Sequence, residues 1–311
     1  MKHQSDILAL KYRPKDFSDL IGQEYLVDTI QKSIQLNKIP NAYIFTGIRG
    51  VGKTTTARIV AKMLNCTAFD SSNKPDLLNC EQAKAITEDR HPDVIEIDAA
   101  SNTSVENARE IIENVKYNPV LGKYKVYIID EVHMLSKSAF NALLKTLEEP
   151  PPHSKFIFAT TEISKVPITI LSRCQRFDLR RIDKKVLSLF LETIANKENI
   201  LIEKEALNLI VKSSDGSVRY SLSILDQANV FKLEETIKTE EIINMLGYSK
   251  LSDLYDLSKN ILENNLTDLI SKLETMYQRG SETSKILLSI ASIVALYISE
   301  FEFIQFHSGY V

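Results

Sequence analysis

The stretch Asn41–Thr56, reading NAYIFTGIRGVGKTTT, limits what this chain can fold into more than any other. Within it, Gly47-Ile-Arg-Gly-Val-Gly-Lys-Thr54 fits G-x-x-x-x-G-K-[ST], the pattern of a phosphate-binding loop. Glycines at 47, 50 and 52 let the backbone adopt positive φ and turn its N–H groups inward around a phosphate. Lys53 supplies a cation for the β- and γ-phosphates, and the Thr54 hydroxyl is a ligand for Mg²⁺. Ile48, Arg49, Val51 and Thr55 complete the expected nucleotide-contacting run. By average composition, an unrelated chain of this length would show the pattern on the order of 1% of the time. The context strengthens the reading: Ala42–Thr46 is a short apolar strand before the loop, and Thr54–Leu64 reads as a helix after it. That helix places the positive end of its dipole under the same phosphates. The loop therefore predicts a nucleoside triphosphate site.

The rest of the chain supplies a sheet to carry such a loop. A helix is predicted over Gln23–Leu36, a strand over Asp93–Asp98 and a helix over Val105–Val115. Lys125–Asp130 is a β-branched apolar run ending in an acid, the pattern of a strand buried on both faces. Ser136 then caps a helix whose Phe140, Leu143, Leu144 and Leu147 share one face, and Pro150-Pro-Pro152 stops it. Phe156–Thr160 and Phe177–Leu179 complete the strands. Strands alternating with helices after an early phosphate loop predict an α/β fold, a P-loop NTPase domain with a parallel sheet covered on both faces. The polar section Thr67–Asn79 reads as an exposed insertion. From Asp183 onward the pattern is helical, with helices over Asp183–Asn196, Glu203–Ser213 and Ser217–Phe231, a polar linker over Lys232–Lys238, and amphipathic stretches at Leu251–Leu262, Leu266–Tyr277 and Ser284–Phe306. No strand is expected there.

Bulk properties narrow the function classes. A chain of 311 residues suggests two or three domains, and its formal charge of −3 argues against a uniformly basic nucleic-acid coat while leaving room for a local patch. Three cysteines point to a reducing compartment rather than a disulfide framework. The most apolar run, Ile286–Ser299, is too short for a spanning helix, so the expectation is a cytoplasmic protein with no membrane partner.

Asp130-Glu131 at the end of the buried strand gives the loop its acidic complement. Asp130 is expected to hold Mg²⁺, directly or through water, and Glu131 to polarise the attacking water as general base. His133, one residue past a turn, is expected to pack or hydrogen-bond rather than to act as a ligand.

Longer motifs now carry a resemblance. Asp130-Glu-Val-His-Met-Leu-Ser136, Phe140-Asn-Ala-Leu-Leu-Lys-Thr-Leu-Glu-Glu-Pro150 and Leu171-Ser-Arg-Cys174 resemble the AAA+ ATPase core of bacterial clamp loaders. Lys11-Tyr-Arg-Pro14, Leu20-Ile-Gly-Gln23 and Ile97-Asp-Ala-Ala-Ser101 are similar to the ATPase subunits of that family, and Gly216-Ser-Val-Arg219 extends the likeness. The resemblance implies an AAA+ domain over 1–182, a small helical lid over 183–238 and a partial all-helical collar over 239–311. It implies ATP with Mg²⁺, Thr161 at the sensor position that contacts the γ-phosphate, Arg173 as an arginine finger reaching a neighbouring subunit's nucleotide, and Arg219 as a second sensor. The implied partners are other clamp-loader subunits (delta, delta-prime and further copies of the ATPase subunit) in a hetero-pentamer, together with the sliding clamp and primer–template DNA.

Three departures qualify the match. Where the family carries a four-cysteine zinc module ending C-x-x-C-x-x-C, this chain has Cys66 and then Leu77-Leu-Asn-Cys80-Glu-Gln-Ala83. Two thiolates do not close a tetrahedral structural site, so no zinc is expected. The residues after Arg219 are Tyr220-Ser221 in place of the family's Asp-Ala. The family's subunits also continue into a larger collar. The leading expectation is an ATP-hydrolysing motor subunit; the alternatives are a non-catalytic, delta-prime-like structural subunit, which the intact loop and acid pair disfavour, or a truncated remnant that does not assemble. A branch-migration motor is disfavoured by the Ser-Arg-Cys signature.

Overall fold

The computed structural model describes residues 7–68, 75–101, 105–232, 234–248, 251–278, 282–284, 286–291 and 293. The chain divides into two compact units, one built from Met1–Leu191 with Val211–Ile224 and the other from Glu192–Ile210 with Leu225–Val311.

The first unit holds a five-stranded parallel sheet: β1 (Ala42–Thr46), β2 (Val94–Asp98), β3 (Lys125–Asp130), β4 (Ser154–Thr160) and β5 (Gln175–Asp178), in the order β2-β3-β4-β1-β5. The strand that carries the phosphate loop, β1, thus lies between β4 and β5. Strands β1 and β4 are buried along their whole length, as is β3 except for Asp130. Both faces are therefore covered, as their continuous apolar runs require. One core cluster joins Tyr127, Ile129, Phe156 and Phe158 of the sheet to Ala108 and Ile111 of the helix Val105–Val115 and to Phe140 and Leu143 of the helix Lys137–Glu148. The latter helix begins as the sequence suggests: the Ala139 N–H donates to Ser136 Oγ at 3.2 Å.

A parallel sheet brings all strand ends of one sense to one edge, and ligands collect at that edge. Thr46, Asp130 and Thr160 end β1, β3 and β4 there. The phosphate loop follows Thr46, and the helix Lys53–Asn65 starts directly from it.

Two expectations need correction. The second unit contains a short parallel pair, β6 (Leu201–Ile202) with β7 (Thr236–Ile237), where no strand was expected and where Lys232–Lys238 reads as a linker. Two-residue strands are too short to show a period. They are fixed by contacts distant in sequence: the Glu203 N–H donates to Ile237 O at 3.0 Å, and the Glu203 carboxylate accepts from the Thr239 N–H at 2.8 Å and hydroxyl at 2.7 Å. The Lys238 N–H also donates to Glu241 Oε2, opening the helix Thr239–Met245. Second, the stretch Thr67–Asn79 is not simply an exposed insertion. Residues 69–74 lie outside those described, but Leu77 packs against Cys66, Cys80 and Ala83 in a small apolar cluster.

Helices at Leu251–Leu262 and Leu266–Gln278 match the amphipathic stretches, and Leu254, Leu257, Met276 and Ile286 form their shared core. Most of the predicted helix Ser284–Phe306 lies outside the described residues. Among the described residues, no helix is long and apolar enough to cross a membrane.

Candidate functional site

Positive φ at Gly50 (79°) and Gly52 (111°) curls the loop over the start of its helix. Glycine is required at two positions for space as well. A Cβ on Gly47 would lie 2.7 Å from the Leu179 carbonyl oxygen, and one on Gly50 would collide with Ser217 Oγ. The Arg219 N–H donates to Gly50 O at 3.2 Å, so the second sensor candidate is tied to the loop through its backbone while its side chain remains exposed.

Lys53 is 5% exposed, and its ammonium donates to Gly47 O and Ile48 O, each at 3.1 Å. Burial pulls its pKa below the ordinary lysine value; the nearby charges of Glu131 and Asp130 oppose that shift and Arg49 adds to it. A cation so placed, with only neutral carbonyls as direct partners, favours an arriving anion. The Thr54 hydroxyl donates to Asp130 Oδ2 at 2.5 Å. Two hard oxygens in contact at a phosphate loop are the donor set that Mg²⁺ takes, with substrate phosphates and water completing its shell.

Glu131 sits in the left-handed region (φ 46°), a backbone strain of the kind concentrated at functional sites. Its Oε2 accepts from the Thr161 N–H at 3.1 Å and the Thr161 hydroxyl at 2.9 Å. The general-base and sensor candidates are thus in direct contact. His133 borders the same group: Nδ1 is 2.9 Å from Thr160 Oγ1 and 3.5 Å from Glu131 Oε2, and Nε2 is 3.5 Å from Glu162 Oε1. It packs and hydrogen-bonds, as expected.

A cavity of about 860 Å³ opens over these groups, within the usual range for small-ligand sites. Its lining includes Ile48–Thr55, Asp130, Glu131, Thr161 and Arg219, with apolar walls from Leu20, Ile21, Val218 and Leu222. The loop cradle, the buried ammonium and the Thr54–Asp130 pair fit a Mg²⁺-bound triphosphate. Arg173 is not among the lining residues. It lies on the turn after the helix Ile168–Leu171, paired with Glu148 at 2.6 Å. Sequence reasoning missed Arg13, which also lines the cavity and donates from Nε to Thr55 Oγ1 at 3.2 Å. Its only signal was its place in Lys11–Pro14, which says nothing about distance to the loop.

The positions of the family's zinc ligands are occupied differently. Cys66 and Cys80 are buried in one small cluster with Leu77 and Ala83, and the Cys66 thiol donates to Ala68 O at 3.1 Å. Neither Leu77 nor Ala83 offers a donor atom, so these residues do not fit a structural zinc.

Fold and site together define a P-loop NTPase of the AAA+ class, a nucleotide-binding architecture. Solved structures agree on the fold: the Thermotoga maritima RuvB Holliday junction branch migration motor superposes with a TM-score of 0.56 at 19% identity, covering 89% of this chain and 91% of that one. Residues 22–183 match the family model described as DNA polymerase III, delta subunit, and residues 187–231 that of the DNA polymerase III clamp loader subunit, ATPase lid domain. The chain is 42% identical to the DNA polymerase III subunit tau of Salmonella typhimurium over 93% of its own length and 44% of that subunit's. It is 43% identical to the tau subunit of Bacillus subtilis, over 89% and 48%, and 40% identical to the gamma subunit of Buchnera aphidicola subsp. Baizongia pistaciae, over 93% and 77%. It spans less than half the length of these tau subunits. The chain belongs to the DNA polymerase III gamma/tau family of clamp-loader subunits.

Proposed function

We propose that this protein is an ATP-hydrolysing motor subunit of the DNA polymerase III clamp loader, acting in loading the sliding clamp onto primed DNA. The observation that carries the reading is one connected set of hydrogen bonds at the sheet edge. Thr54 donates to Asp130, the Glu131 N–H donates to Asp130 Oδ1 at 3.0 Å, and Thr161 donates to Glu131. A delta-prime-like structural role would not need that set.

In this reading Gly47–Thr54 wraps the phosphates, and Lys53 leaves the Gly47 and Ile48 carbonyls for the β- and γ-oxygens. Thr54 and Asp130 hold Mg²⁺, which neutralises phosphate charge when bound. Thr161 exchanges its bond to Glu131 for one to the γ-phosphate, and Glu131 then accepts the proton of the attacking water. Arg219, in the lid, senses the phosphates. Arg173 acts on the nucleotide of the adjacent subunit, where a guanidinium stabilises developing charge; such fingers contribute about 10³–10⁵ in rate in GTPases. In this reading the partners are delta, delta-prime and further gamma/tau copies in a hetero-pentamer, the clamp, and primer–template DNA. We assign 1–182 to the ATPase domain, 183–238 to the lid and 239–311 to a collar.

The test mixes two variants in the assembled complex with clamp and DNA. Arg173→Ala alone binds ATP but loses most hydrolysis, and Glu131→Gln alone binds and stalls. Mixed in equal amounts, some interfaces pair an intact Glu131 with a neighbour's intact Arg173, so activity recovers in part. No recovery, with isolated Arg173→Ala as impaired as the complex, would rule out the inter-subunit finger.

A further inference from the structure

We infer that Glu148 is a positioning residue for Arg173, holding the guanidinium in its working pose before a neighbouring subunit arrives. The inference rests on the reading of Arg173 as a finger. Arg173 Nη2 donates to Glu148 Oε1 at 2.6 Å, while Nη1 donates to Thr169 O at 2.6 Å and to Ser172 Oγ at 3.1 Å. A guanidinium carries five N–H donors in a fixed plane. These bonds use three of them, leaving Nε–H and one Nη2–H for a phosphate. The side chain can therefore stay anchored while it acts.

Glu148 is an odd residue to find unassisted at its position. It is the last residue of the helix Lys137–Glu148, where the dipole disfavours a carboxylate. Its side chain is 50% exposed, and that of Arg173 is 32% exposed, so each would otherwise sample many rotamers. An ion pair this exposed contributes little to the stability of the fold. Its effect is on geometry instead. An arginine ordered only on encounter spends transition-state binding on its own ordering, whereas one already held does not.

The experiment measures steady-state ATPase activity of the assembled loader with clamp and DNA, comparing Glu148→Ala, Glu148→Gln, Arg173→Ala and the double variant. Glu148→Ala is expected to lower kcat about threefold to tenfold, with KM for ATP and thermal unfolding unchanged. Glu148→Gln keeps an acceptor oxygen and recovers part of the loss. The double variant is no slower than Arg173→Ala. A wild-type or raised kcat in Glu148→Ala, alongside an impaired Arg173→Ala, overturns the inference; a raised kcat would mean that Glu148 withholds the arginine. A fall in ATP binding or melting temperature that matches the fall in rate also overturns it, since the pair would then be merely structural. A wild-type rate in Arg173→Ala shows instead that the finger reading has failed, an outcome visible in that variant alone.

Discussion

The two ends of the helix Lys53–Asn65 carry sites with opposite fates. At its N-terminus, Lys53 and Thr54 keep every group a phosphate site needs, and each is satisfied: the ammonium by Gly47 and Ile48 carbonyls, the hydroxyl by Asp130. At its C-terminus, Cys66 caps the helix and joins Cys80, Leu77 and Ala83 in a small apolar cluster. Both regions resemble functional sites of one family in sequence, yet only the first retains a complete donor set. A metal site with half its ligands does not persist as a weaker metal site. Here apolar side chains stand where the other two ligands would be, and the two thiols are left to hydrogen-bond to the groups around them. A phosphate loop has no comparable intermediate, because its donors are backbone groups and a fixed Lys-Thr pair.

Removing Lys53 should give the largest effect and is the most direct way to break the comparison. Lys53→Ala is expected to lower ATP hydrolysis by at least about 10²-fold, the scale seen when one preorganised charge-stabilising donor is lost. Stability should hold, since the lysine's burial already opposes its charge and only two carbonyl contacts disappear. ATPase rates and thermal melts on the same preparations check both halves. An unaltered rate would mean that the N-terminal site is as vestigial as the C-terminal one.

How far each site could be read from sequence follows from the same contrast. The loop was legible because its chemistry lies within a few consecutive residues, and β1, β3 and β4 because continuous apolar runs admit little else. The Ser136 cap is likewise local. What stayed hidden was pairing over distance. Glu131 meets Thr161 thirty positions later, Arg173 meets Glu148 twenty-five positions earlier, and Arg13 meets Thr55 across forty-two. No period or spacing encodes such contacts; the Glu131–Thr161 pair, for one, exists only once β3 and β4 lie side by side. The β6–β7 pair was missed for the same reason.

The second prediction works at the other end of the helix. Protein purified without chelators should contain well below one zinc per chain, measured by metal analysis. Because Leu77 and Ala83 belong to one cluster with both thiols, replacing them by cysteine places four sulfurs in that cluster. Leu77→Cys/Ala83→Cys is expected to bind about one zinc per chain, the stoichiometry of a Cys₄ site. Stoichiometric zinc in the unmodified protein, lost on mutating Cys66 or Cys80, would show that this region retains a ligand set and would remove the contrast.

The smallest effect concerns what the remaining thiols do without a metal. Burial, and then the hydrogen bond with Cys80, pushes the Cys66 thiol up to about 12. Burial acts upward on Cys80 too, but the Ala83 N–H, the Cys66 thiol and the Thr67 and Ala68 N–H groups together outweigh it and bring Cys80 down to about 7. Burial holds Cys174 up at about 12. A depressed thiol means that folding favours the thiolate, so Cys80 contributes stability that is present above the unfolded value of 9.0 and lost as pH falls through about 7. Cys66 runs the other way: its contribution is present below 9.0 and lost as pH rises toward about 12. Of the three thiols, only Cys80 should therefore titrate between pH 6 and 9. Thiolate absorbance near 240 nm should report one thiolate appearing with a midpoint near pH 7, absent in Cys80→Ser and retained in Cys174→Ser. Over the same interval the melting temperature of the unmodified protein should rise relative to that of Cys80→Ser. A midpoint at or above pH 9 would mean that the backbone donors around Cys80 do not stabilise a thiolate, and that the cluster is apolar packing in every respect.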